Sequence, residues 1–276
     1  MWYKLKRIMM RPNGVENQVR PTIIPDYLCL TANTAGSTVK LKKVWSPTSV
    51  SLETSTDWRN RSDYTFWTTI TLSAIWDKVY WRNKSETDTW FNKGLNNHYR
   101  FEMTWSISAS WDTNYLLNKN STTTLSNFCF RNLFQDCASL KTAPSLPATT
   151  ATESCYHQMF YGCTWLTEAP SLPATTLANY CYMQMFYYCT ALTTLTLLPA
   201  TTLPAGCYSD MFHTCSNIKL STSKTWSYQT AYRIPTNWTW TTSWSYSLQT
   251  MFTNTWWTFT WTPTINTTYY TSNTVV

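Results

Sequence analysis

The nine cysteines and three histidines are the side chains best suited to carry chemistry, and their spacing decides which chemistry is open to them. Cys129 and Cys137 stand eight residues apart, and the same step separates Cys155 from Cys163, Cys181 from Cys189, and Cys207 from Cys215. Along a helix eight residues span about 12 Å, too far for two thiolates to share one tetrahedral ion. No C-x2-C pair is present. Equivalent cysteines of adjacent repeats would lie about 4.8 Å apart, close enough for a disulfide, but stacked side chains run parallel and fit the required torsion poorly. The expectation is a ladder of free thiols buried as small apolar groups. His157 and His213 sit at positions that vary between repeats, where solvent-facing residues are expected. Asp136, Glu153, Glu168 and Asp210 form no pair that recurs from unit to unit, and neither a glycine-rich phosphate loop nor a nucleophile elbow occurs. The sequence therefore argues against an enzyme, and implies no cofactor and no metal.

The element that positions these residues is a repeat of 26 residues between Leu125 and Ile218. Leu133-Phe134, Met159-Phe160, Met185-Phe186 and Met211-Phe212 fall between the cysteines of each unit. Leu140, Leu166, Leu192 and Ile218 close the units, and Pro147, Pro173 and Pro199 each open an Ala-Thr-Thr triplet. A fixed period of this length marks units that bury their apolar face only against their neighbours. In the third unit Leu177, Cys181, Met185 and Cys189 follow at steps of four, which predicts a short helix capped by Thr176. Thr150 and Glu153 add a capping-box pattern in the second unit. Ala191–Leu195 alternates as a short strand should, and the Leu-Pro-Ala-Thr-Thr step is expected to turn the chain back toward the next helix.

The recurring order Cys-Tyr, Met-Phe, Cys, Leu-Pro-Ala-Thr-Thr resembles the BspA-like leucine-rich-repeat surface proteins over roughly residues 125–220. The tail from Met251-Phe252-Thr253-Asn254 to Asn273 is also similar to the terminal segment of such proteins. The resemblance implies a non-enzymatic surface binding or adhesion role without a cofactor.

Upstream, seven short alternating or β-branched runs lie between Tyr27 and Ala109, which predicts a β-sandwich of immunoglobulin-like architecture. The expected fold class is thus α+β: a basic arm at 1–24, a β-sandwich at 25–118, a leucine-rich-repeat solenoid of about four coils at 119–220, and a β-rich cap at 221–276. The arm carries Lys4, Lys6, Arg7, Arg11 and Arg20 without the apolar core of a secretory signal, and no run of 18 apolar residues spans a membrane. Residues 1–119 carry a net charge of +6 and residues 120–276 only +1, so the repeats lack the basic stripe that nucleic acid requires.

Glycine and tryptophan usage is anomalous. The chain holds 5 Gly and 17 Trp, where ordinary usage gives about 19 Gly. Several tryptophans stand where turn chemistry asks for glycine: Trp58, Trp76, Trp111, Trp165 and the Trp256-Trp257 pair. A gene whose UGA codons are read as glycine in its host, but as tryptophan in translation, produces this pattern. Trp81, inside a strand-like run, reads as a genuine tryptophan.

Phe130, Tyr156, Tyr182 and Tyr208 form an aromatic ladder best read as packing between units. The recognition candidates are the positions that vary: Lys141, His157, Tyr161, Met183, Gln184, Tyr187 and Tyr188. The expected partner is a protein or glycan on a cell surface, with the arm as a possible oligomer contact and the protein located at a cell surface or on a virion. Two alternatives stand beside this: a virion component such as a tail or fibre tip that binds the host, and a carbohydrate-binding protein using Trp238, Trp240, Trp244, Trp256, Trp257 and Trp261.

Overall fold

The computed structural model describes residues 27–45, 50–57, 59–88, 90–92, 94–118, 124–235, 246–257 and 262–276. The basic arm at 1–24, Trp58, Trp238, Trp240, Trp244 and Trp261 lie outside the described residues, as does most of the polar stretch between Asn118 and Thr124.

All seven runs expected upstream of the repeats are strands. In chain order the elements are β1 (Leu28–Ala32), β2 (Ser37–Val44), β3 (Leu52–Ser55), β4 (Ser62–Asp63), β5 (Ile70–Leu72), β6 (Lys78–Asn83), β7 (His98–Thr104) and β8 (Ile107–Ser110). Alternation drives them: in β2 Val39 and Leu41 are buried while Thr38 and Lys40 are not, as a half-buried pleat requires. β5, β2 and β7 form one antiparallel sheet. β4, β3, β6, β1 and β8 form another, and β9 (Leu140–Thr142), from the first repeat unit, joins its edge parallel to β8. Trp81 and Phe101 meet edge to face between the sheets, in a single core whose buried residues run from Leu28 to Tyr269.

The α+β expectation, an immunoglobulin-like sandwich followed by a leucine-rich-repeat solenoid, is overturned. Among the described residues there is no α-helix, only a 3-10 turn at Thr113–Leu116. The regular structure of the described residues is nearly all β, in several small sheets, with no closed solenoid among them. The four-residue stripe of cysteines and methionines comes instead from consecutive turns punctuated by left-handed residues. In the third unit these are Tyr180, Gln184 and Tyr188, with φ of 58°, 56° and 61°. Alternate amides divide their bonds. Met183, Met185, Tyr187 and Cys189 donate to the carbonyl three residues back, whereas Tyr182, Gln184, Phe186 and Tyr188 donate across to Cys207, Ser209, Met211 and His213 of the next unit. A helix keeps nearly all of these bonds inside one segment; this arrangement gives half of them to a neighbour. The Thr-Thr steps, expected to lead into helices, instead form the short parallel pair β10 (Thr150–Ala151) and β11 (Thr176–Leu177).

Side chains stack on this backbone in columns. Phe101, Phe134, Phe160, Phe186, Phe212 and Phe252 follow one another at ring separations of 5.2–5.7 Å, each pair within 17° of parallel. Phe130, Tyr156, Tyr182 and Tyr208 make a second buried column. All nine cysteines are free and buried. Cys137, Cys163, Cys189 and Cys215 each donate the thiol proton to a phenylalanine carbonyl 3.0–3.1 Å away in the element before.

The β-strand region meets the stack as though it were a preceding unit. The Asn92 amide donates to the Cys129 carbonyl, the Asn92 side chain to that of Arg131, and the Phe101 amide to that of Leu133. At the other end, Met251-Phe252 forms a fifth rung, with Tyr208, Asp210, Phe212 and Thr214 donating to Ser247, Gln249, Met251 and Thr253. That rung lies 40 residues after its counterpart rather than 26. The chain closes through β12 (Thr194–Leu195), β13 (Lys219–Ser221), β14 (Thr230–Arg233), β15 (Trp256–Trp257), β16 (Thr268–Thr271) and β17 (Thr274–Val275). β17 lies parallel to β12, and beside it the buried Asn273 side chain donates to the Thr193 and Asn217 carbonyls and accepts from the Lys219 amide.

Candidate functional surface

The turn stack leaves an outer face of rows, each row built from one position repeated unit by unit. One row is aromatic. Tyr161 stacks on Tyr187 at 5.0 Å and 8°, and Tyr187 stacks on His213 at 4.3 Å and 6°. Tyr188, at a left-handed position in the adjacent row, meets Tyr187 edge-on at 4.9 Å and Tyr161 at 6.2 Å. Tyr188 is 44% exposed, and the other three are half-buried. Both faces of the Tyr187 ring are therefore covered, and what the cluster offers outward is ring edges and hydroxyl groups. Partial burial, then the neighbouring tyrosines, push the Tyr161 and Tyr187 phenols above their ordinary value.

A second row is polar and hydrogen-bonded along its length. The Gln158 amide donates to the Gln184 side-chain oxygen at 2.7 Å, Gln184 donates to the Asp210 carboxylate at 3.5 Å, and the Thr250 hydroxyl donates to the other Asp210 oxygen. A third row runs Arg131, His157, Met183, Ser209. The Arg131 guanidinium donates to His157 Nδ1 at 2.6 Å, so the imidazole there is neutral. Burial, then the Arg131 charge, hold His157 down to about 3.

Glycine is required at two points on this face. At Gly162, with φ of 72°, a Cβ would stand 2.8 Å from one Asp136 carboxylate oxygen, while the other oxygen of that carboxylate takes a hydrogen bond from Arg100 of β7 at 3.1 Å. At Gly206, with φ of 61°, a Cβ would stand 2.4 Å from the Tyr180 ring, which lies across the glycine and is 41% exposed.

The structure thus brings Tyr161, Tyr187 and Tyr188 into one cluster, with His157, Met183 and Gln184 on adjoining rows. Lys141 is not among them. It sits in β9, in a separate column where Thr167 donates to its carbonyl and Thr193 donates in turn to that of Thr167. Neither His213, read from the sequence only as a solvent-facing position, nor Tyr180 was among the recognition candidates, although His213 lies one 26-residue step beyond Tyr187. Burial pushes the thiols of Cys129 and Cys137 up to about 12 and raises the other repeat cysteines likewise, so these thiols stay protonated near neutral pH. Among the described residues no group of three or more His, Cys, Asp or Glu is placed to hold a metal ion, and no helix is long and apolar enough to cross a membrane.

Comparison with protein-family models, curated proteins and solved structures returned no match to this chain.

Proposed function

We propose that the protein is a non-catalytic binding module that attaches to a protein or glycan on a cell surface through the tyrosine cluster of the turn stack. The observation that carries this reading is the cluster of Tyr161, Tyr187, Tyr188 and His213, held outward by a backbone whose own bonds are committed to neighbouring units. Tyrosine combines apolar area with a polar tip and loses little rotamer entropy on contact, which is why interfaces favour it. Ring faces covered by stacking leave edges and hydroxyls for the partner, a better match to backbone amides or sugar hydroxyls than to a sugar ring lying flat. The resemblance of the repeat wording to BspA-like surface proteins supports the same class of function.

Tyr188→Ala removes an exposed ring, and Tyr161→Ala with Tyr187→Ala removes the stack beneath it. Truncating such anchors costs about 2 kcal/mol or more, at least a tenfold loss of affinity. Attachment to whole cells and to isolated surface glycans, with circular dichroism as the control for folding, measures that loss. Unchanged attachment by a folded triple variant would move the site off the turn stack.

A further inference from the structure

Left-handed backbone sorts the described tryptophans of residues 27–118 into two classes. Among the described residues of 27–118, those with positive φ are Trp45 (63°), Trp67 (73°), Trp76 (74°), Trp105 (57°), Trp111 (68°) and Gly36 (80°), with no other residue type among them. Trp81 and Trp90 of the same region have no positive φ; Trp81 is fully buried and Trp90 packs against the core. In the turn stack, by contrast, the left-handed positions carry Asn, Asp, Ser, Gln, Thr, Phe, Tyr and Gly, and bonds between units hold the backbone there.

The turns around these tryptophans are ones that select glycine. Thr68 N donates to the Thr65 carbonyl, and Asp77 N to that of Ala74, closing two four-residue turns. Trp67 and Trp76 occupy the third position of those turns, where positive φ calls for Gly or Asn. Trp105 begins the two-residue connection that carries the chain from β7 into β8 of the other sheet, and its φ of 57° is one that glycine adopts without the cost a side chain brings. A tryptophan side chain has no local hydrogen bond to offset that conformation, as Asn and Asp have. Nor does packing compensate at four of the sites: Trp45, Trp76, Trp105 and Trp67 are 79%, 71%, 63% and 54% exposed. Trp111 lies on the Tyr80 ring at 5.7 Å.

We propose that the protein made in its own host carries glycine at positions 45, 67, 76, 105 and 111, the gene's UGA codons being decoded there as glycine. Trp165 and Trp226 are exposed without positive φ, and the geometry assigns them to neither class. A functional consequence follows, resting on the binding role proposed above. The exposed tryptophans of the β-strand region are then not a sugar-stacking surface, and the tyrosines of the turn stack carry recognition.

The codons test the assignment independently of any binding. TGA at the five positions with TGG at Trp81 is expected; TGG at the five overturns the proposal. Peptide mass spectrometry of the protein isolated from its source checks the decoding, with glycine masses at the five sites expected and tryptophan masses overturning it. A chain carrying Trp45→Gly, Trp67→Gly, Trp76→Gly, Trp105→Gly and Trp111→Gly should melt several degrees higher and bind cells as before. Lower stability would count against glycine at these sites. Loss of attachment by a folded variant would overturn the functional consequence alone and place recognition on the tryptophans.

Discussion

The β-strand region and the turn stack bury similar aromatic side chains but satisfy their backbones in opposite ways. Between β2 and β7 the ladder runs unbroken from Thr38–Thr104 to Val44–His98, strand against strand. In the stack each amide alternates between its own turn and the next unit. Sheet edges can be covered by many things, whereas a turn unit presents a row of donors spaced for one partner, another such unit. The β-strand region supplies that partner at one end through Asn92 and Phe101, which lets the two regions share one core.

The largest effect is expected from Phe160→Ala. It removes the middle of the phenylalanine column and should cost about 3–5 kcal/mol. Hydrogen exchange should then show the amides of units two and three opening well before those of β2 and β7, because stacked units stabilise mainly their neighbours. Equal loss of protection in both regions would show them to be a single cooperative unit. Asn273→Ala should follow, at about 2–3 kcal/mol for the buried hydrogen bonds it breaks, read as a lower denaturant midpoint. Its damage should begin at the last rungs, and early opening of the β-strand region instead would contradict the proposed order.

Acid tests the seam. Burial is the main cause holding His98 down to about 4, and burial with Arg131 holds His157 down to about 3. Both folded values lie below the ordinary value of about 6.5, so unfolding takes up protons below that pH. Stability should be full above about pH 6.5 and fall steadily as pH drops toward 4. A melting-midpoint series that stays flat in His98→Asn, His157→Gln protein would assign the loss to these two groups, and an unchanged slope would exclude them. The smallest effect is expected for Gly162→Ala, about 1 kcal/mol for a left-handed alanine, with displacement of the Asp136 carboxylate from Arg100.

The strands β1–β3 and β5–β8 were legible because their runs alternate on a period of two or are rich in β-branched and aromatic residues, and the repeat was legible because its cysteines and Met-Phe pairs recur at one interval. The local geometry of the repeat was not. Steps of four place side chains on one stripe of a helix and also on one side of a chain of turns. The residue that ordinarily betrays a left-handed position, glycine, appears at only two of these sites, whereas Tyr180, Gln184 and Tyr188 occupy the others in the third unit. The fifth rung escaped because a longer connection shifts Met251-Phe252 to a 40-residue interval. Of the recognition candidates, variability picked out Tyr161, Tyr187 and Tyr188 but could not say which row a position faces, and so it grouped Lys141 with them and passed over His213.

The alternating amides also give the stack a direction. Every unit offers carbonyls toward the amino-terminal side and N–H groups toward the carboxyl-terminal side, so a unit is complementary to an exact copy of itself in the same orientation. A tandem duplication of one 26-residue segment can therefore slip in between two existing rungs and find both of its faces already matched. The 40-residue interval before the last rung shows that the connections tolerate added length. Such a protein can grow or shorten over evolutionary time by whole rungs, changing the reach and wording of its outer face while its interior rules stay the same.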